Sequence, residues 1–132
     1  MKINKLLTIL LIAATLQSCK KDEGPVIPEQ EATEVSFVND IQPIFDSNCI
    51  SCHPSSGNLN LTSGNSYNQL VNINASGYSA KRVVPNEPEN SVLYKKIDGS
   101  GTYGSNMPLG GSLSTNQVNL IKQWIAQGAK NN

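Results

Sequence analysis

Cys49-Ile50-Ser51-Cys52-His53 is the stretch on which the reading of this chain turns. Its pattern, C-x-x-C-H, is the attachment signature of c-type haem. Two thiols can add across the two vinyl groups of a porphyrin and form thioethers. The two-residue gap brings both sulfurs to one edge of the ring. The next residue, His53, then offers its imidazole to the iron as the proximal ligand. Two other chemistries use similar residues. A redox dithiol of thioredoxin type places C-x-x-C on a βαβ pattern, which this sequence lacks. A zinc site needs four ligands, and beyond this stretch the chain holds no other His and one other Cys, Cys19. The spacing predicts one covalent haem c, bound through Cys49 and Cys52, with His53 on its iron.

The opposite face of the iron takes a second ligand in six-coordinate haem. A second His does not exist, and Met107 is the one Met outside the first residue. A thioether partners His in cytochromes c and raises the reduction potential. Met107 lies in a Gly-rich stretch that can wrap that face, and Pro108 stiffens its neighbourhood. Met107 is thus the candidate distal ligand. If it stays away, a five-coordinate iron is open to small molecules, as in a haem-based sensor or a peroxidase-like protein.

The surrounding chain reads as helices joined by long loops rich in Gly, Asn and Ser. Ser36 can cap a helix over 36–48, with Phe37, Ile41, Ile44 and Phe45 on one face and a bend near Pro43. Residues 54–64 form a loop over one haem edge. A short helix is expected over 66–71, followed by a loop over 72–80. Val83-Val84-Pro85 is extended by propensity. Pro88 opens a helix to about Ile97. Residues 98–111 form the Met107 loop. Ser114 and Gln117 make a capping box for the last helix, whose stripe is Val118, Ile121 and Ile125 with Leu120 and Trp124 beside it. Gly128 stops it. Arg82, the single arginine, either pairs with a haem propionate or is solvated.

At 132 residues the chain is one domain with a tail. Its 10 basic and 10 acidic residues balance, which gives no sign of nucleic-acid binding. Aromatic residues are 5% of the total, a thin apolar core that a buried haem would supplement.

The first residues read as an export signal: Lys2 and Lys5, an apolar run over 6–16, and small Ser18 before Cys19. The run is too short to span a membrane. Leu16-Gln17-Ser18-Cys19 resembles a bacterial lipobox, which implies cleavage before Cys19 and its lipidation. Residues 20–33, with Pro25, Pro28 and four acidic side chains, form a linker. The run Lys20-Lys21-Asp22-Glu23 is either a surface-sorting signal or a solvated tether. The expected organisation is a signal peptide at 1–18, a lipidated tether at 19–33 and a haem domain at 34–132.

Three stretches together resemble the class I mono-haem cytochromes c, in their bacterial lipoprotein-anchored form. They are Ile41-Gln42-Pro43-Ile44-Phe45 leading into Cys49–His53, then Val84-Pro85-Asn86-Glu87-Pro88-Glu89-Asn90-Ser91-Val92-Leu93-Tyr94, then Asn106-Met107-Pro108 followed by Leu113-Ser114 and Trp124-Ile125-Ala126-Gln127-Gly128-Ala129. Many relatives have Gly where Asn86 stands, and Asn also tolerates the left-handed conformation. The resemblance implies an all-α fold, a helical wrap around one covalently attached haem with the first and last helices crossing beside it. It implies Cys49 and Cys52 as thioether residues, His53 as proximal and Met107 as distal ligand. The expected function is single-electron transfer to and from redox proteins of the cell envelope by transient docking. The expected protein is an electron carrier and no enzyme. It is expected to be an outer-membrane-anchored lipoprotein facing the periplasm or the cell surface, touching the membrane through its lipid alone.

Overall fold

Ser36 caps the first helix as its sequence suggests: its Oγ accepts the Asn39 N–H at 3.1 Å. The computed structural model describes residues 33–132. The signal at 1–18, Cys19 and the tether as far as residue 32 lie outside the described residues. The first helix does not run evenly through Pro43. Phe37–Ile41 forms a wide π-turn, and α1, Gln42–Asn48, follows it with Pro43 in its first turn. A proline there lacks only an N–H that a helix start leaves unpaired, so the bend is absorbed by the π-turn before it. Two further orphan donors of this start are met by the other end of the chain. Phe37 N donates to Asn132 Oδ1 at 2.9 Å and Val38 N to the Asn132 carbonyl at 3.0 Å.

Four α-helices are present among the described residues: α1, α2 (Ser66–Leu70), α3 (Val92–Ile97) and α4 (Thr115–Ala126). Short 3-10 turns lie at Ser56–Asn58 and Pro88–Asn90. No strand or sheet occurs among these residues, only isolated bridges of Val71 with Val83 and of Asn74 with Lys81. The fold class is all-α.

The helix expected from Pro88 to Ile97 is divided at Ser91, whose backbone is extended (φ −99°, ψ 124°). Ser91 is fully buried. Its Oγ donates to the Glu87 carbonyl at 2.9 Å and accepts the Val84 N–H at 2.8 Å. A hydroxyl that satisfies backbone groups locally competes with the helical ladder, and here it wins. The first amides of α3 then bond elsewhere: Val92 N to the Lys81 carbonyl at 3.1 Å and Leu93 N to the Arg82 carbonyl at 2.9 Å. This fastens α3 to the extended segment before it.

In α4 the capping box is complete. Gln117 N donates to Ser114 Oγ at 3.3 Å and Ser114 N to Gln117 Oε1 at 2.9 Å. The helix stops at Gly128, with φ +97°. There Ala129 N bonds back to the Trp124 carbonyl at 2.9 Å. Asn86 adopts φ +67°, the left-handed geometry its side chain tolerates, and its N–H meets the Ile125 carbonyl at 2.8 Å.

The core is an aromatic knot where the chain's first and last helices meet. Phe37 lies 5.1 Å from Trp124, 5.3 Å from Tyr67 and 6.3 Å from Phe45, by ring centroids. The edge-on pairs with Tyr67 and Phe45 suit the ring quadrupole. Ile41, Ile121 and Ile125 close around them, all buried. Both phenylalanines and the tryptophan are gathered in this knot, whereas Tyr78 and Tyr103 pair elsewhere, 4.9 Å apart.

Candidate haem site

The last turn of α1 delivers the C-x-x-C-H stretch. Cys49 N donates to the Phe45 carbonyl at 2.8 Å, and the chain then tightens, with Cys52 N and His53 N both donating to the Cys49 carbonyl at 3.1 and 2.9 Å. Both thiols are free. Cys49 is half-buried and Cys52 exposed. Burial, and secondarily the neighbouring Cys52, push the Cys49 thiol from 9.0 up to about 11. A nucleophilic redox dithiol needs the reverse, a thiol held low by its surroundings. The thioredoxin-like reading therefore has no support at Cys49. Among the described residues no group of three or more His, Cys, Asp or Glu side chains is arranged for a metal ion, which leaves a zinc site equally without support.

His53 is held in one tautomer. Its Nδ1 lies 2.9 Å from the Ser56 carbonyl. A carbonyl can only accept, so Nδ1 carries the hydrogen and Nε2 keeps a free lone pair. A metal-binding imidazole is prepared in this way, with its outer nitrogen bonded to a fixed acceptor. The acceptor is fixed because the 3-10 turn at Ser56–Asn58 closes through Gly57, at φ +66°. The His53 carbonyl is tied as well, by the Leu61 N–H at 2.7 Å.

Cys49, His53 and Met107 line one cavity of about 240 Å³. Its other walls are chiefly aliphatic: Leu59, Leu61, Leu70, Val92, Leu93 and Ile97. Leu61, Leu70 and Val92 belong to the buried core, while Leu59, Leu93 and Ile97 are only partly covered. An apolar hollow with a few placed polar groups is the common form of a small-molecule or cofactor site. Its walls come from the stretch after α1, the end of α2, the 72–80 loop, Arg82, α3 and Met107. Cys52 is not part of the wall. Met107 is half-buried, and its N–H donates to the Lys96 carbonyl at 2.7 Å.

Arg82 departs from the solvated arginine that sequence allows. It is 8% exposed and lines the cavity. Its two terminal nitrogens fork onto backbone carbonyls, Nη1 to Gln69 at 2.8 Å and Nη2 to Asn58 at 2.7 Å. Burial draws its pKa below the ordinary arginine value. Among the described residues Arg82 pairs with no carboxylate, since the four ion pairs all use lysine. A buried cation without a counter-charge at the edge of an apolar cavity suits a ligand that is apolar with an acidic margin.

These features fit haem c. The donor set offers two thiols, a prepared imidazole and a thioether; the cavity is chiefly aliphatic; and among the described residues the buried charge without an ion pair, Arg82, is positive. Sequence reasoning did not find Ser56, since a backbone carbonyl leaves no mark on side-chain pattern.

The chemistry of the two cysteines gives a direct check on the chain before haem attachment. At pH 8 an alkylating reagent should modify exposed Cys52 well before Cys49, by at least about tenfold in rate, because the thiolate is the nucleophile. The same shift sets a pH dependence. The folded-state value lies above that of an unfolded cysteine, so the folded chain holds its proton longer. Stability from this group is intact below about pH 9 and is lost as pH rises through about 11. Denaturation midpoints of the apo-protein between pH 8 and 11 should fall, and Cys49→Ala should flatten that fall.

No protein family and no curated protein matches the sequence. Among solved structures, hydrazine synthase of Kuenenia stuttgartiensis is similar, with 26% identity and a TM-score of 0.50. The match covers 72% of this chain and 16% of that one. This chain therefore corresponds to under a fifth of the hydrazine synthase chain. The likeness corrects one expectation from sequence. The resemblance to class I cytochromes c implies a carrier and no enzyme. A similar fold occurs within a protein named as an enzyme. A fold does not decide between carrier and catalyst; the site does.

Proposed function

We propose that this chain is a c-type cytochrome domain of class I that passes single electrons. One haem c would be held by thioethers from Cys49 and Cys52, with His53 and Met107 as the iron's protein ligands. One observation carries the reading: the chain's single His and its single candidate Met line the same aliphatic cavity, beside Cys49. When bound, haem c supplies an iron that cycles between ferric and ferrous forms. The chain's own residues do the rest. The Ser56 carbonyl keeps Nε2 of His53 available. Leu59, Leu61, Leu70 and Ile97 exclude water. Arg82 has donors left for an acidic margin such as a propionate. Met107 tunes the potential.

The proposed setting is the cell envelope. A lipid on Cys19 would anchor the chain to the outer membrane, facing periplasm or cell surface, and the tether would let the domain reach redox proteins through small transient contacts. That a similar fold forms part of hydrazine synthase supports a domain able to work within or beside a catalytic chain.

Absorption spectra of oxidised and reduced protein, exported from a host that attaches haem c, test the ligand set. The ferric wild type should be low-spin with a weak sulfur-to-iron band in the far red. Met107→Ala should abolish that band and show high-spin character. An unchanged spectrum in Met107→Ala would remove Met107 from the iron and favour an open site, as in a sensor or peroxidase-like protein.

A further inference from the structure

We infer that Lys96 is the positioning residue for Met107, a strap that holds the sulfur-bearing loop against the cavity; this rests on the reading of Met107 as distal ligand. Lys96 stands near the end of α3 and lines the cavity. Its Nζ donates to the Tyr103 carbonyl at 2.7 Å and to the Ser105 carbonyl at 3.2 Å. Its own carbonyl accepts the Met107 N–H at 2.7 Å. The two ends of one residue thus fix the loop at 103, 105 and 107.

The loop needs such a hold. Gly101, Gly104 and Gly110 all have positive φ, so its backbone has many alternatives in the free state and much entropy to lose on ordering. A second element closes the strap from the other side. The Tyr78 hydroxyl donates to the same Tyr103 carbonyl at 2.7 Å, the two tyrosine rings lie 4.9 Å apart, and the Lys96 ammonium sits 5.4 Å from the Tyr78 ring centroid. The ammonium has thereby two carbonyls and a π-face, and Tyr78 joins the 72–80 loop to the 98–111 loop at the cavity. A thioether ligand is neutral and weak, so its occupancy depends on how well its loop is held, as the partners behind other metal ligands govern affinity.

The test compares Lys96→Met, Lys96→Arg, Tyr78→Phe and Met107→Ala in haem-loaded protein. Lys96→Met keeps the aliphatic stem and removes the donors. Imidazole added to the ferric protein competes with the sulfur. Lys96→Met should bind it about tenfold more tightly than wild type, as expected for loss of charge-assisted hydrogen bonds. Its far-red band should weaken, and hydrogen exchange at the Met107 amide should quicken while α4 stays protected. Lys96→Arg should restore most of the wild-type behaviour, and Tyr78→Phe should show a smaller shift in the same direction. Wild-type imidazole affinity and Met107 exchange in Lys96→Met would overturn the strap. Loss of protection spread through α4 as well would make Lys96 a general stability residue and also overturn it. If Met107→Ala matches wild type in spectrum and imidazole affinity, the ligation reading itself has failed, and the strap falls with it; that outcome is separate because it appears in a variant with Lys96 intact.

Discussion

Replacing both Cys49 and Cys52 with Ala is expected to abolish covalent haem in protein exported through a haem-attaching pathway. Wild type should carry the mass of one haem under denaturing conditions, and acid extraction should leave it on the polypeptide. The double variant should show the bare chain mass and yield all its haem to the organic phase. Each single variant should keep a haem by one thioether and shift its reduced absorption band. A thiol adding across a vinyl group needs no further reactant, and Cys49 and Cys52 carry the only thiols among the described residues. Without them, the aliphatic cavity and the His53 imidazole remain, so haem binds reversibly and is lost on dilution. Free thiols in the exported wild type would end the haem c reading. A double variant that still holds haem through acid would place the attachment elsewhere.

The helical parts of this fold were legible where side chains act locally. Ser36, and the pair Ser114 and Gln117, cap the helices their spacing indicates. Gly128 ends α4 and Asn86 takes the left-handed turn. What escaped the sequence was decided by partners far along the chain or by backbone atoms. The π-turn before Pro43 trades one hydrogen-bond pattern for another, and hydrophobic spacing barely changes between them. The break at Ser91 depends on the Val84 amide and the Glu87 carbonyl coming within reach of one hydroxyl. A serine in a helical pattern does not announce this. Arg82 looks like any surface arginine until the carbonyls of Asn58 and Gln69 are brought to it.

The site divides in the same manner. The thiols and the imidazole are written in the sequence because attachment chemistry demands adjacent residues. Met107 could be proposed by elimination, and the fold puts it on the same cavity as His53. The acceptors that hold them, the Ser56 carbonyl for His53 and the Tyr103 and Ser105 carbonyls that Lys96 Nζ reaches, are main-chain atoms in loops. Such contacts carry no residue preference that a single sequence can display.

Trp124→Ala is expected to lower the stability of the folded domain by about 3–5 kcal/mol. Trp124 is 1% exposed and touches the first helix through Phe37, with Tyr67 at 6.5 Å completing the cluster. Truncation removes the largest buried side chain, opens a cavity between α4 and the π-turn, and leaves the Lys130 carbonyl without the indole N–H that reaches it at 2.8 Å. Lys130 is exposed, so water can take over that carbonyl; the cost lies in packing. A domain of about this size has total stability near 5–15 kcal/mol, so the loss is about a fifth or more of the whole. The thermal midpoint should fall by on the order of 15–30 °C. Trp124→Phe, which keeps a ring against Phe37 and gives up the N–H, should recover over half of it. The decisive feature is what stays unchanged. Trp124 does not line the cavity, so at low temperature the haem mass and the far-red band should match wild type while the midpoint drops. A drop of under about 1 kcal/mol would mean that the crossing of the first helix with α4 does not hold the domain together, and that the bound cofactor does so in its place.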